Sequence, residues 1–414
     1  MPKWCVVLLL VVLLFRIMFI DVFILKNVPA SLPQDPMEYK ILAVNLIEHQ
    51  KFTQDISDPN NHELLRTPGY PVFMALFVPV DDSGYLVIFV QQILSLLTAC
   101  MIYFIVYRLI SNKKIAGIAS LIFFLWPYDI LWSRMTMSET LFTFLLVATT
   151  CVILFRRGWR SDIVAGLLTG MAIYVRPQGV LAFGVIWFVT FFQGFAKRIW
   201  LYPLIVFLCL APWLTRNYLL TNSFVFSSSG DYNMVFSGIA GVDAESKLQS
   251  YVGEKDSVVY DDIGAAVHRN WSFSAEAYPT IEKIIKNSNV SELTVVKENL
   301  VCAKKVWSLN DFDMLLRRFP NVWKMIFLSA YFLFLIFCSL TIIFGFCVAL
   351  FKRKIDRLTV FILTVGVVLF GTFVNMCVSS GRMTIPLLPF VLTAVALGLD
   401  EMIVYGRKYI KNKV

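Results

Sequence analysis

Four arginines lie at the ends of apolar segments in this 414-residue chain, each close to proline, tryptophan, serine or glutamate: Arg134, Arg176, Arg216 and Arg382. Many other basic residues lie in the connections at the opposite ends of such segments. A guanidinium group binds phosphate oxygens through paired hydrogen bonds. A single arginine at such a place can also be an anchor in the headgroup layer, but four on one membrane face indicate a ligand that carries phosphate.

Asp35 opens the sequence DPMEY (residues 35–39) and is the first candidate for acid–base chemistry. The side chains at 39, 42, 43 and 46 have the spacing of an amphipathic helix that lies along a membrane face. In that helix Asp35 can be the N-cap, with Pro36 at the first helical position, so a capping role is an alternative to a catalytic one. Glu38 and Tyr39 follow in the same motif and are candidates for substrate binding.

Glu139 is a second acidic candidate, because it starts an apolar segment five residues after Arg134. Ser138 can cap that helix, and a carboxylate in the first turn favours the positive end of a helix, so capping also explains both residues. A carboxylate at this depth can equally hold a cation or orient a second acid. A divalent cation at Asp35, Glu38 and Glu139 is therefore possible, although no spacing demands a metal or another cofactor.

A sharp turn at RTPGYP (residues 66–71) precedes a short apolar run at 72–78. Proline and glycine impose this turn, which returns the chain to the membrane face and points Arg66 and Tyr70 inward. The run is too short to span a bilayer, so it predicts an interfacial or re-entrant helix.

Ten segments are apolar enough to be membrane helices. They are residues 4–25, 85–110, 115–129, 139–155, 163–175, 179–195, 199–214, 325–350, 358–377 and 384–404. We therefore predict an all-α polytopic membrane protein with about ten transmembrane helices. Residues 1–214 are predicted to hold seven spans and a catalytic first external loop at 26–84. Residues 215–324 are predicted to form a large external loop region with helices at 278–287 and 293–307. Residues 325–414 are predicted to hold three spans and a basic cytoplasmic tail.

The charge distribution predicts the orientation of these spans. Basic residues at 3, 113–114, 156–160, 197–198, 352–357 and 407–413 lie in alternate connections, which the positive-inside rule assigns to the cytoplasm. The four arginines then face outward, towards the periplasm of a bacterial inner membrane or the lumen of the endoplasmic reticulum. Because the net charge of +9 comes largely from the inner loops and tail, it indicates contact with anionic membrane lipids and argues against a nucleic-acid partner.

The composition narrows the class of protein further. With 58% hydrophobic and 16% charged residues, the chain is not an ordinary soluble domain. All but one of its 8 cysteines lie in or beside apolar segments, and its 3 histidines are scattered through external ones. Neither a disulfide framework nor a Cys/His metal spacing follows from this pattern.

The ordered set of motifs resembles the GT-C glycosyltransferases of the protein O-mannosyltransferase type, a group that includes the enzymes that put aminoarabinose on lipid A. The motifs are DPMEY with the following ILAVNL, RTPGYP, SETLF at 138–142, the segment 166–177 ending in Arg-Pro, PWLTRNY at 212–218 and GRMTIP at 381–386. Their order and sidedness match along the chain except at 241–310. Two departures affect the expected acceptor geometry: Met383 replaces the usual aromatic residue, and Pro36 follows Asp35 where many members have an acid or a small residue.

The resemblance implies a hexosyl- or pentosyltransferase whose donor sugar is carried on a polyprenyl phosphate, and transfer to a lipid, glycan or protein on the non-cytoplasmic face. Asp35 matches the acidic residue proposed as the base that deprotonates the acceptor, and Glu139 matches a second acidic position. Arg382 and Arg176 would contact the lipid phosphate. The other polar residues of these junctions are our candidates for substrate binding: Glu38, Tyr39, Arg66, Tyr70, Arg134, Arg216 and Asn217.

The expected chemistry needs few protein groups, since a sugar on a lipid phosphate is already activated. Two alternatives stay open. A transporter or flippase of lipid-linked glycans predicts ionisable residues near mid-membrane and inverted repeats. A glycan polymerase or ligase would share the donor and the arginines without requiring the Asp35 loop.

Overall fold

In the computed structural model the chain is helical, with no strand, over the residues that the structure describes: 1–18, 35–57, 61–155, 158–192, 200–231, 275, 278–287, 321–352, 361–362, 364–366 and 384–411. The principal helices are α1 (Lys3–Met18), α2 (Asp35–Glu48), α3 (Gly69–Ala75), α4 (Tyr85–Ile110), α5 (Lys113–Phe124), α6 (Pro127–Trp132), α7 (Glu139–Phe155), α8 (Trp159–Val175), α9 (Gly179–Phe192), α10 (Leu201–Thr221), α11 (Tyr278–Asn287), α12 (Asn321–Phe351) and α13 (Leu388–Lys411).

Four of these helices are long and apolar enough to cross a membrane: α4, α10, α12 from Ser329 and α13 as far as Arg407. Helix α7 and the first part of α9 are shorter apolar helices. The chain is therefore a polytopic integral membrane protein, as its composition predicts. The predicted number of about ten spans includes segments outside the described residues, such as most of 358–377.

Two predicted spans have the bounds of observed helices, 85–110 in α4 and 139–155 in α7. The predicted span 115–129 is instead divided between α5 and α6 at Pro127. Proline cannot donate a backbone hydrogen bond and keeps the preceding residue out of the helical region, and Trp126 is indeed extended at this point. The break carries Asp129 on a separate short helix.

The segments predicted to be external also form helices where the sequence predicts them. Helix α2 buries Tyr39, Leu42 and Ala43, which lie on one face at helical spacing. The short apolar run after the RTPGYP turn forms α3, and α11 has the predicted bounds 278–287. The predicted helix at 293–307 lies outside the described residues, and the interfacial placement of α2 and α3 stays a prediction.

The helices pack as a bundle around two large apolar clusters. One is built mainly from α4, α5 and α6, and the other lies between α7, α8 and α10 and includes residues of α2 and α3. Helix α13 packs against α12, α4 and α5. Gly398 of α13 lies so close to the Thr341 carbonyl of α12 that a Cβ atom there would clash with the backbone. Such close crossings are common where small residues meet in membrane bundles.

The two ends of the bundle differ in their polar side-chain contacts. At one end Lys352, after α12, pairs with buried Glu401 of α13 at 3.0 Å. At the other end, the start of α2, the 61–67 loop, the start of α7 and the ends of α8 and α10 contact one another through polar side chains. The candidate catalytic residues lie at this second end.

Candidate active site

Arg66 binds two carboxylates in the first turn of α2. Its Nη2 lies 2.5 Å from Asp35 Oδ1 and 2.6 Å from Glu38 Oε2, and its Nε donates to Glu38 Oε2 at 2.7 Å. Burial opposes the charge of Arg66, but attraction to the two carboxylates outweighs it and raises the pKa of Arg66 well above its ordinary value. Arg66 thus stays charged and fixes the direction of both acids.

A second ion pair joins the start of α7 to the end of α8. Arg176 Nη1 lies 2.7 Å from Glu139 Oε1 and 3.1 Å from Ser138 Oγ, while its Nε donates to Gln178 Oε1 at 3.2 Å. The side chain of Glu139 is only 1% exposed, whereas that of Asp35 is 18% exposed. Of the two predicted catalytic acids, Asp35 is therefore the one that an acceptor can reach directly.

Two tyrosines connect these ion pairs. Tyr39 Oη lies 3.4 Å from Ser138 Oγ, and its ring packs edge-on against the ring of Tyr70 at 4.8 Å. Tyr70 Oη donates to Gln91 Oε1 at 2.6 Å, and Gln91 Nε2 donates to the carbonyls of Ser133 and Met135. A continuous polar path therefore runs from α2 to the segment that leads into α7.

The RTPGYP turn owes its position to a close approach between backbones. A Cβ atom on Gly69 would lie 2.5–2.6 Å from the carbonyl of Tyr174 and the amide of Val175. Only glycine fits such an approach, and Thr67 Oγ1 lies 3.5 Å from the Val175 carbonyl beside it. The turn therefore sits directly on the end of α8, next to Arg176.

Glu63 lies behind Arg66 and is fully buried. Its Oε1 accepts the Arg66 amide at 2.7 Å and its Oε2 accepts Gln54 Nε2 at 2.7 Å. Burial raises the pKa of Glu63 to about 7, an effect that Glu38 reinforces and the contacts with Arg66 and Gln54 only partly offset. The Glu63 carbonyl accepts Arg216 Nη1 at 2.8 Å, which ties the loop to α10.

Arg216 and Asn217 have mainly structural contacts in this arrangement. Arg216 also donates to Asn217 Oδ1 at 2.8 Å and lies over the ring of Trp213 at 4.5 Å. Buried Asn217 donates to the carbonyls of Val225 and Phe226 and so shapes the chain after α10. Arg216 binds the Glu63 carbonyl and Glu63 accepts the Arg66 amide, so Arg216 is linked to Arg66 through Glu63.

A separate buried polar centre surrounds Arg16 of α1. Its Nη2 pairs with Asp129 Oδ2 at 3.0 Å, and the side chains are 0% and 1% exposed. Its remaining N–H groups donate to Gln92, Ser95, Ser133 and the Phe124 carbonyl. Arg134 lies alongside, where its Nη2 donates to the Arg16 carbonyl at 3.4 Å. Burial lowers the pKa of Arg134 to about 10, and repulsion from Arg16 adds to the effect.

The structure brings most of the predicted site residues together at one end of the bundle, although their roles stay predictions. The seven that form one connected group are Asp35, Glu38, Tyr39, Arg66, Tyr70, Glu139 and Arg176. Arg216 and Asn217 lie behind this group, and Arg134 lies in the Arg16 centre. Arg382 lies outside the described residues.

Several residues of this region were not predicted as site residues. No local sequence pattern marks Glu63 as a site residue, because its partners come together only when the loop folds. Asp129 and the Gln91–Gln92 pair do carry one, since charged and amide side chains inside apolar segments usually face the bundle interior. The pairing of Arg16 with Asp129 joins residues 113 positions apart, which spacing alone does not show.

The candidate ligands for a divalent cation do not form a cation cage. Within the described ranges no three His, Cys, Asp or Glu side chains come together. The guanidinium of Arg66 contacts both Asp35 and Glu38, and Arg176 contacts Glu139. All three candidate ligands thus contact an arginine.

No protein-family profile matches the chain, and no curated protein matches it. Solved structures similar to it include ArnT from Cupriavidus metallidurans bound to undecaprenyl phosphate, with 12% identity, a TM-score of 0.43, and coverage of 97% of this chain and 78% of that one. Another is the Archaeoglobus fulgidus oligosaccharyltransferase in complex with zinc and sulfate, with 12% identity, a TM-score of 0.47, and coverage of 96% of this chain and 50% of that one.

The chain spans only half the length of the oligosaccharyltransferase. Because identity is 12% and both TM-scores are below 0.5, the function proposed next rests on the side chains described above.

Proposed function

We propose that the protein is a glycosyltransferase that moves a sugar from a polyprenyl-phosphate carrier to an acceptor on the non-cytoplasmic membrane face. The observation that carries this proposal is the partly exposed carboxylate of Asp35, held by Arg66 in a group of polar side chains at one end of a membrane bundle. Such a group supplies a base next to the headgroup layer, where a lipid-borne donor presents its sugar.

The proposed reaction is a direct displacement. The acceptor hydroxyl gives its proton to Asp35, and its oxygen forms a bond to the anomeric carbon of the donor sugar. The bond between that carbon and the phosphate oxygen breaks, and its electron pair leaves with the polyprenyl phosphate. A single displacement inverts the anomeric configuration, and no residue here suggests a covalent glycosyl-enzyme.

The neighbours of Asp35 have supporting roles in this proposal. Arg66 orients Asp35 and Glu38, while Tyr39 and Tyr70 line the same region and Glu139 is held back by Arg176. General-base catalysis by a positioned side chain is typically worth about 10²–10⁴-fold in rate. Asp35→Asn should therefore nearly abolish turnover.

The outward orientation rests on the positive-inside rule, since the basic connections lie at the opposite end from Asp35. The transport alternative predicts ionisable residues near mid-membrane, and the buried Arg16–Asp129 pair, which contacts Gln92 and Ser95 of α4, is the pair that such a path would use. The partly exposed group of Asp35, Arg66 and Glu38 lies outside the predicted spans and favours a site at the membrane surface.

The test uses purified protein in detergent with a panel of polyprenyl-phosphate sugars, and follows release of free polyprenyl phosphate. Wild type should release it from at least one donor, and Asp35→Asn should not, although its thermal unfolding remains that of the wild type. Glu48→Gln is the matched control, because Glu48 is an exposed acid at the other end of α2. Release by Asp35→Asn at the wild-type rate would reduce Asp35 to a helix cap, and no release by any variant would favour transport.

A further inference from the structure

The three arginine centres differ in the carboxylates that contact each guanidinium group. Arg66 contacts the carboxylates of Asp35 and Glu38, and Arg176 contacts that of Glu139. In the third centre Arg16 pairs with Asp129, and Arg134 lies beside Arg16. Within the described ranges Asp129 is the only carboxylate paired there, so two guanidinium groups share one carboxylate and the centre can attract an anion.

The excess charge belongs to Arg134. The residue is only 7% exposed, and its Nε has no hydrogen-bond acceptor in the part of the chain that the structure describes. Its Nη2 donates to the backbone carbonyl of Arg16, whose side chain has the same charge. A buried cation without a counter-charge costs several kcal/mol, so buried charges in proteins are normally paired or bind a ligand. Among the described residues, the Arg134 guanidinium thus has no carboxylate partner of the kind that Arg16, Arg66 and Arg176 each have.

Resting on the proposed function, we infer that Arg134 is the anion-binding residue for the phosphate of the polyprenyl carrier. A phosphate group supplies both a negative charge beside the guanidinium and an acceptor oxygen for its Nε. The position is suitable, because the Ser133 and Met135 carbonyls on either side of Arg134 are fixed by Gln91, whose Oε1 accepts the hydroxyl of Tyr70. The same segment continues into Ser138 and Glu139.

This inference changes the division of labour among the arginines. Arg66 and Arg176 position carboxylates, and Arg134 takes the charge of the leaving group. Asp35 and the phosphate then contact different arginines, Arg66 and Arg134, so the base and the departing anion do not compete for one guanidinium group.

The test measures binding rather than turnover, using undecaprenyl phosphate and the purified full-length protein in detergent. Arg134→Met removes the charge and keeps most of the apolar stem, and Arg134→Lys keeps the charge. Arg108→Met is the matched control, because Arg108 is an exposed arginine in the last turn of α4, at the end away from Gln91. We expect Arg134→Met to weaken binding roughly 10- to 100-fold, since hydrogen bonds to charged groups are the strong ones, with Arg134→Lys intermediate and Arg108→Met unchanged.

A second readout separates binding from a structural role. Because the unpaired cation destabilises the protein without ligand, ligand-free Arg134→Met should unfold at the wild-type temperature or above it. Three other compounds are tested for binding. Undecaprenol has the lipid chain without the phosphate, inorganic phosphate has no lipid, and phosphatidylglycerol carries its phosphate on a different lipid. None should replace undecaprenyl phosphate.

Equal binding by wild type and Arg134→Met, or a clear loss of stability in ligand-free Arg134→Met, would overturn the inference while leaving the proposed function intact. Equal stabilisation by phosphatidylglycerol or by inorganic phosphate would also overturn it, because Arg134 would then be a headgroup anchor or a site for the ion alone. A wild type that does not bind undecaprenyl phosphate would contradict both proposals.

Discussion

The buried ion pair between Arg16 and Asp129 should be far more important for stability than any surface pair of this chain. Its side chains are 0% and 1% exposed, whereas those of the Lys40–Asp82 pair, also at 3.0 Å, are 40% and 73% exposed. Removing one partner of a buried pair typically costs about 3–5 kcal/mol, because the other charge is left uncompensated. Exposed pairs are typically worth about 0.2–1 kcal/mol.

We therefore expect Arg16→Met and Asp129→Asn each to lower the free energy of unfolding by about 3–5 kcal/mol. The double variant should cost much less than the two losses added together, because it leaves no unpaired charge. The assay is equilibrium unfolding in mixed micelles with increasing sodium dodecyl sulfate, followed by tryptophan fluorescence. Trp126 and Trp132 lie in the apolar cluster beside the pair and report on its packing.

The matching cycle on Lys40 and Asp82 is the control and should show almost no coupling. Single losses below about 1 kcal/mol at Arg16 or Asp129, or a double variant whose loss equals the sum of the two, would refute the reasoning. Either result would mean that neighbouring groups or water compensate the charge that is left behind.

Two further predictions concern the loop that holds Arg66. Gly69→Ala should lower both thermal stability and sugar transfer, since the added Cβ would overlap the backbone of Tyr174. Gly184→Ala is the control and should lower neither, because no described atom lies within 4 Å of a Cβ at that position. The pKa of Glu63 rises from 4.5 to about 7, so its contribution to stability is present below pH 4.5 and is lost as the pH rises through about 7. At about 1.4 kcal/mol per unit of pKa difference, the free energy of unfolding of the wild type should fall by about 3 kcal/mol relative to that of Glu63→Gln between pH 4 and pH 8. The measurement is equilibrium unfolding of both proteins at each pH, and parallel pH dependences would contradict the prediction.

The sequence predicts those elements well whose limits depend on local chemistry. The bounds of α4 and α7 follow from long apolar runs with turn residues before them, and those of α11 follow from its amphipathic pattern. The break at Pro127 was also readable, because proline restricts the residue before it, yet the apolar pattern favoured one continuous span.

The side-chain partners in the site are less accessible from the sequence. The RTPGYP turn predicts that Arg66 points inward, but pattern alone suggests a ligand and not the carboxylates of Asp35 and Glu38. Residues far apart in the chain meet only through helix packing, as in the contact of Gly69 with the end of α8. The same limit applies to Arg134: within the described ranges it has no acidic partner because Asp129 pairs with Arg16.

The most direct test of the central claim is the single-turnover rate of sugar transfer in Asp35→Asn and Glu139→Gln, measured on folded protein with saturating donor. If Asp35 is the base and Glu139 is a buried positioning residue, Asp35→Asn should lower the rate by about 10²–10⁴-fold and Glu139→Gln by a clearly smaller factor. Equal losses, or a larger loss at Glu139, would contradict the assignment of Asp35 as the base.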